Sequence, residues 1–129
     1  MKFMQTGLSS KDKARLKQAK NIASTSDCDK MHGAVAERGG RVIGVGVNSY
    51  RNSRHIYEEI PRDARSTHAE MACLRAIGGD ARGATFYVAR VNRSGEERMS
   101  KPCSYCQTHL IAAGVKRVVY TIDSEMVLS

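Results

Sequence analysis

Residues 9 to 25 place Leu16, Ala19, Ile22 and Ala23 at helical spacing, against a polar face that carries Lys13, Lys17 and Lys20. Ser9 and Asp12 stand at capping-box spacing at its start, so the segment is predicted as an amphipathic helix with a solvated lysine face. Two β-prone runs follow, Met31 to Glu37 and Arg41 to Val47, joined by Arg38-Gly39-Gly40. A glycine turn between such runs predicts an antiparallel hairpin. The small residues Gly33, Ala34, Gly44 and Gly46 suit either a closely approaching ligand or backbone, or a tightly packed helix.

From Asn48 to Thr67 the pattern breaks into a polar stretch with Arg51, Arg54, Arg62, Arg65, His55 and Pro61, expected to be a long loop with a functional role. His68 to Ile77 regains helical spacing through Met71, Leu74 and Ile77, and Gly78-Gly79 ends it. Ala84 to Val91 reads as a strand, Asn92 to Lys101 as a loop, Pro102 to Gly114 as a helix and Lys116 to Ile122 as the last strand. The order α-β-β-α-β-α-β predicts an α/β fold with helices on a mixed sheet. Each of the last two helices follows a strand and a loop. Their N-termini therefore meet at one edge of the sheet, where backbone N–H groups favour anions and thiolates.

A length of 129 residues makes the chain, residues 1–129, a single domain. Its longest apolar runs, of about seven residues, fall far short of a membrane span, and the first residues lack a signal-peptide block. A cytoplasmic protein with no membrane partner is expected, with reduced thiols at Cys28 and Cys73. The 21 Lys and Arg against 13 Asp and Glu leave a formal charge of +8. Such a balance points to an anionic partner, a free nucleotide or a nucleic acid, or to a basic surface that serves solubility.

The chemistry concentrates in His68-Ala69-Glu70 and Pro102-Cys103-Ser104-Tyr105-Cys106. One imidazole and two thiolates can fill three corners of a zinc tetrahedron and leave the fourth for water, the pattern of a catalytic site. Cys103 and Cys106 share a face of one helical turn, whereas His68 and Glu70, two residues apart, point about 200° away from each other. The metal must therefore lie off the end of the helix rather than against its side. Glu70 is then a carboxylate beside the open position, able to move a proton between water and a substrate nitrogen, as hydrolysis of an amidine-like C–NH2 group requires.

These motifs resemble the zinc-dependent cytidine and deoxycytidylate deaminase family, whose H-x-E and P-C-x-x-C signature stands here in strand and helix context. Gly46-Val47-Asn48, Gly83-Ala84-Thr85-Phe86-Tyr87-Val88 and Ala113-Gly114-Val115-Lys116-Arg117-Val118 follow the family's order, and the likeness covers roughly residues 10 to 122. The H-A-E triplet is most similar to the deoxycytidylate branch. The resemblance implies a single deaminase domain, a three-layer α/β/α sandwich on a mixed sheet of four to five strands. It implies Zn2+ held by His68, Cys103 and Cys106, Glu70 as catalytic proton shuttle, and a homo-oligomer. It also implies that the Ala69 N–H and Asn48 contact the base or sugar. Two departures stand out. The connection from Asn92 to Ser100 is long, and little chain follows the last strand, so a fifth strand is expected to be short or absent.

Arg51 and Arg54, just beyond Asn48, are the expected phosphate contacts, since a guanidinium fork suits phosphate. Tyr105 is left either to stack on the base or to pack. The favoured reading is deamination of a free cytosine nucleotide, dCMP first, to the uracil nucleotide. Editing of adenosine in tRNA or of cytosine in a single strand is the alternative; an aromatic content of 5% with no Trp supplies few stacking platforms for it.

Overall fold

The first helix forms over Ser10–Ala23 (α1) in the computed structural model, which describes residues 1–50 and 66–123. The capping box is present: the Ser9 hydroxyl accepts the Asp12 N–H at 3.0 Å, and the Asp12 carboxylate accepts the Ser9 N–H at 3.3 Å. The predicted hairpin forms from β2 (Met31–Arg38) and β3 (Arg41–Val47). Gly39 and Gly40 both have positive φ, 62° and 79°, as a tight turn matched to strand twist requires.

Ser49–Tyr50 (β4) and Ser66–Thr67 (β5) pair with each other, so the ends of the expected 48–67 loop are joined; most of that loop lies outside the described residues. The remaining elements are α2 (Ala69–Ala76), β6 (Thr85–Val91), β7 (Glu97–Arg98), α3 (Ser104–Ala112) and β8 (Arg117–Tyr120). In the main sheet β6 runs antiparallel to β2, with Tyr87 opposite Val35, and parallel to β8, with Tyr87 opposite Val119. The place beyond β8 is filled from the front of the chain by Lys2–Met4 (β1), which lies parallel to β8 with Phe3 opposite Val118. A fifth strand thus comes from before the first helix, and with β7 the main sheet has six strands rather than the four to five expected; the expectation of a short or absent strand after β8 falls on residues 124–129, outside the described residues. The long connection after β6 also proves to be structured. It turns at Asn92–Glu96 and returns as β7 against Arg90 and Val91.

Side-chain alternation divides the core. Val35, Tyr87, Ala89 and Val119 face α1 and meet Leu16 and Ala19, while Ala34, Phe86, Val88 and Val118 face the other way and meet Ala69, Cys73 and Leu110 of α2 and α3. Three layers result, as expected. Full burial of Phe86, Val88 and Leu110 contributes roughly 1.5–3 kcal/mol each.

The small residues of the hairpin turn out to serve helix packing. A Cβ on Gly33 would run into the Ala19 carbonyl and the Ala23 N–H of α1, and one on Gly46 into the Ala69 carbonyl and the Cys73 backbone of α2. Both helices therefore rest on strand backbone, one on each face. A partly buried ion pair adds a second tie between α1 and the sheet: Arg117 Nη2 donates to Asp12 Oδ1 at 2.9 Å, and the Tyr87 hydroxyl donates to the same oxygen at 2.8 Å. No helix among the described residues is long and apolar enough to cross a membrane.

Candidate metal centre

Each of the two motif helices starts at a candidate ligand. His68 is the N-cap residue of α2 and Cys103 that of α3, both with extended backbone, and neither side chain caps its own helix. Cys106, buried in the first turn of α3, completes the set. His68 Nδ1 lies 3.1 Å from Cys106 Sγ and 3.8 Å from Cys103 Sγ, and all three donor atoms fall within 4.8 Å of one another. Zinc bonded to nitrogen and sulfur at its usual lengths has tetrahedron edges of about 3.5–3.8 Å. The donors therefore fit zinc in number, chemistry and spacing, and the ion's place is off the helix ends, as the periodicity requires.

Cys73, one turn along α2, is wholly buried in the core, and His109 packs edge-on to Tyr105, with centroids 4.5 Å apart. Among the described residues the cluster comprises only His68, Cys103 and Cys106, and no other of them fills a fourth corner.

Glu70 sits in the first turn of α2 with 4% of its surface exposed. Burial pushes its carboxyl up to about 7, against the pull of its own backbone N–H and of the Cys106 side chain. A carboxyl in that range can both take and return a proton near neutral pH. Burial, reinforced by the charge of Glu70, drives the Cys106 thiol far above its ordinary range. A cation at the cluster is what would hold that sulfur as thiolate.

A cavity of about 210 Å³ opens over these groups. The start of α2 supplies His68, Ala69 and Glu70, and the end of the hairpin supplies Asn48 and Tyr50. The segment between α1 and β2 adds Cys28, Lys30 and His32, and the approach to α3 adds Ser100, Lys101 and Cys103. Of the expected substrate contacts, Asn48 and Ala69 are thus in the wall, whereas Arg51 and Arg54 lie outside the described residues. Tyr105 is 63% exposed and is not part of the wall.

Several wall residues escape sequence reasoning. His32 reads as an ordinary surface or packing histidine, yet it faces the cavity, and burial lowers its imidazole to about 4, leaving it neutral at pH 7. Lys101 is legible only by its place before Pro102; its ammonium lies 4.8 Å from the centroid of Phe3, so β1 reaches the site through that ring. Ser100 is held by its hydroxyl, which donates to the Val88 carbonyl at 2.8 Å. Lys30 carries no local signal at all. Apart from the buried Glu70, the charged side chains that line the cavity among the described residues are Lys30 and Lys101.

Comparison with known proteins agrees with this arrangement. The family model described as the cytidine and deoxycytidylate deaminase zinc-binding region matches residues 9–122. No match was found among curated protein sequences. The apo dCMP deaminase of the cyanophage S-TIM5 is similar in structure, with a TM-score of 0.69 and 21% identity over 92% of this chain and 88% of that one. A mutant cytidine deaminase from Mycobacterium tuberculosis has a TM-score of 0.56 and 22% identity over 84% and 82% of the two chains. The guanine deaminase of Bacillus subtilis has a TM-score of 0.55 and 18% identity over 90% and 67%. Identities this low establish a shared fold, and the names span two bases, cytosine in the first two and guanine in the third.

Proposed function

Because the chain belongs to the cytidine and deoxycytidylate deaminase family, and so to the zinc-dependent hydrolytic deaminases, we propose that it converts a free cytosine nucleotide, dCMP first, to the uracil nucleotide and ammonia. The observation that carries this reading is the charge of the cavity: His68 and Cys103 of the metal cluster line it together with Glu70, and among the described residues the only other charged side chains in its wall are Lys30 and Lys101. Two cations above a proton-transfer site suit a substrate whose reacting end is a neutral base and whose far end is a phosphate. The cyanophage dCMP deaminase, a structural relative, has been captured with dCMP and dUMP.

When bound to His68, Cys103 and Cys106, zinc would make water acidic enough to ionise near neutral pH. The remaining roles fall to the chain. Glu70 carries the proton from water to the amino nitrogen while the water oxygen bonds to the ring carbon, so that the C–N bond breaks and ammonia leaves. The Ala69 N–H, at the start of α2 where no preceding carbonyl is in helical register, is a donor for the base carbonyl. Asn48 contributes to holding base or sugar, and Arg51 and Arg54 are further candidates for the phosphate.

A substrate panel with ammonia detection tests the proposal. The zinc-loaded protein should deaminate dCMP in preference to deoxycytidine, guanine and a single-stranded oligonucleotide. Turnover of a tRNA stem-loop or an oligonucleotide, with free nucleotides untouched, would assign the protein to nucleic-acid editing instead.

A further inference from the structure

The Asn48 side chain is largely engaged by the chain itself. Its Oδ1 accepts the Ser26 hydroxyl at 2.6 Å and the His32 N–H at 2.9 Å, and its Nδ2 donates to the Lys30 carbonyl at 2.6 Å. A carboxamide offers two lone pairs and two N–H donors, so one N–H remains for a ligand. Ser26 works from behind the wall. Its oxygen also accepts the Cys28 N–H at 3.1 Å, and it is outside the cavity lining. Nearby, the Tyr50 hydroxyl accepts the Asp29 N–H at 3.2 Å. The segment that brings Cys28, Lys30 and His32 to the cavity has no regular strand or helix before Met31, and these side-chain bonds fasten it to the end of the hairpin.

We propose that the Ser26–Asn48 hydrogen bond is a latch that holds the wall segment 28–32 in its substrate-admitting position, which makes Ser26 a positioning residue for the reaction. Asn48 combines two tasks, since its last N–H can meet a ligand while the rest of its amide sets the wall. Ser26 has only the second. Replacing it with alanine removes a donor to Asn48 and the Ser26 bond to the Cys28 N–H, so the wall loosens while His68, Glu70, Cys103 and Cys106 keep their places. The kinetic part of this inference rests on the cytosine-nucleotide reading; the structural part does not.

Two measurements on zinc-loaded Ser26→Ala separate the two. The first is the alkylation rate of Cys28 by iodoacetamide, read by peptide mass spectrometry with Cys73 as internal control, since Cys28 is 5% exposed and Cys73 wholly buried. Loss of the latch should raise Cys28 labelling about tenfold and leave Cys73 unchanged. The second is steady-state turnover of dCMP, where KM should rise about fivefold to tenfold with kcat and zinc content held. Ser26→Thr, which keeps the hydroxyl, should restore both. Unchanged Cys28 labelling, or an equal rise at Cys73, would overturn the latch. If labelling responds while even the wild-type protein leaves dCMP untouched, the latch stands and the substrate reading falls. Should Ser26→Ala not fold, amide exchange in the wild-type protein decides: the Cys28 and His32 N–H groups, both donors into the latch, should be protected, and rapid exchange at both would overturn it.

Discussion

His68 and Cys103 hold equivalent places, each the N-cap of one of the two helices that frame the site, and their donor atoms lie 3.8 Å apart instead of capping either helix. A capping side chain is worth about 1 kcal/mol to a helix. Both helices forgo it, and both side chains point at a common position where a zinc ion would replace what the caps lose.

It follows that metal and fold are coupled. His68→Ala and Cys106→Ser should purify with little zinc. Chelation should lower the melting temperature of the wild-type protein by about 5 °C or more and leave the variants unmoved. Because the Cys106 thiol lies far above its ordinary range without metal, zinc uptake releases protons, and zinc affinity should fall as pH is lowered. Metal analysis beside thermal unfolding, at several pH values, checks each part.

Glu70→Gln keeps the shape of the buried side chain and removes its ability to carry a proton. Zinc content should be unchanged while kcat falls by roughly 10²–10⁴-fold, with KM little altered. Activity within tenfold of wild type would remove Glu70 from the proton-transfer role.

The two lysines of the cavity should act on the anionic end of the substrate. Lys30→Gln and Lys101→Gln are each expected to raise KM for dCMP about fivefold, with a smaller effect on deoxycytidine, and the difference should shrink at high salt. Equal losses for nucleotide and nucleoside would show that neither lysine meets the phosphate.

Gly33 and Gly46 offer a contrast between the two faces. A methyl group at either must push a helix off the sheet, at a cost of about 1–3 kcal/mol. Gly33→Ala displaces α1, which carries no metal ligand, so stability should drop with zinc binding retained. Gly46→Ala displaces the first turns of α2, next to His68, and should weaken zinc binding as well. Thermal unfolding with metal analysis of the two variants distinguishes them.

The Asp12–Arg117 pair sets an acid limit on the fold. The Arg117 guanidinium, helped by the Tyr87 hydroxyl and the Ser9 N–H, holds the Asp12 carboxyl far below its usual range despite burial. A depressed carboxylate contributes stability that is present above its unfolded value of about 3.9 and is lost as pH falls toward the folded one. Asp12→Asn should therefore cost about 2–4 kcal/mol at pH 7, and the gap to wild type should narrow below about pH 4. Urea unfolding at pH 7 and pH 3 provides the comparison.

The long periodic elements and the metal ligands were readable from the chain alone, because their signals are local. Leu16, Ala19 and Ala23 mark one face of α1 whatever it packs against, the glycines at 39 and 40 mark a turn, and the spacing of Cys103 and Cys106 marks a shared helical face. Glu70 is legible for the same reason, by its distance from His68. What tertiary structure alone decided is everything that depends on which strand lies beside which. Lys2–Met4 is too short to show alternation, and it is a strand only because β8 offers it an unpaired edge; β7 likewise exists by returning onto β6. The small residues at 33 and 46 were open to two explanations until the helices were seen to rest on them. The cavity wall is the clearest case. Lys30, His32 and Lys101 come from segments distant in sequence, and they converge because the β2–β6–β8 pairing carries the segment before β2 and the run into α3 to the same edge as His68. Periodicity reports the face of an element. It carries no information about the partner across the gap.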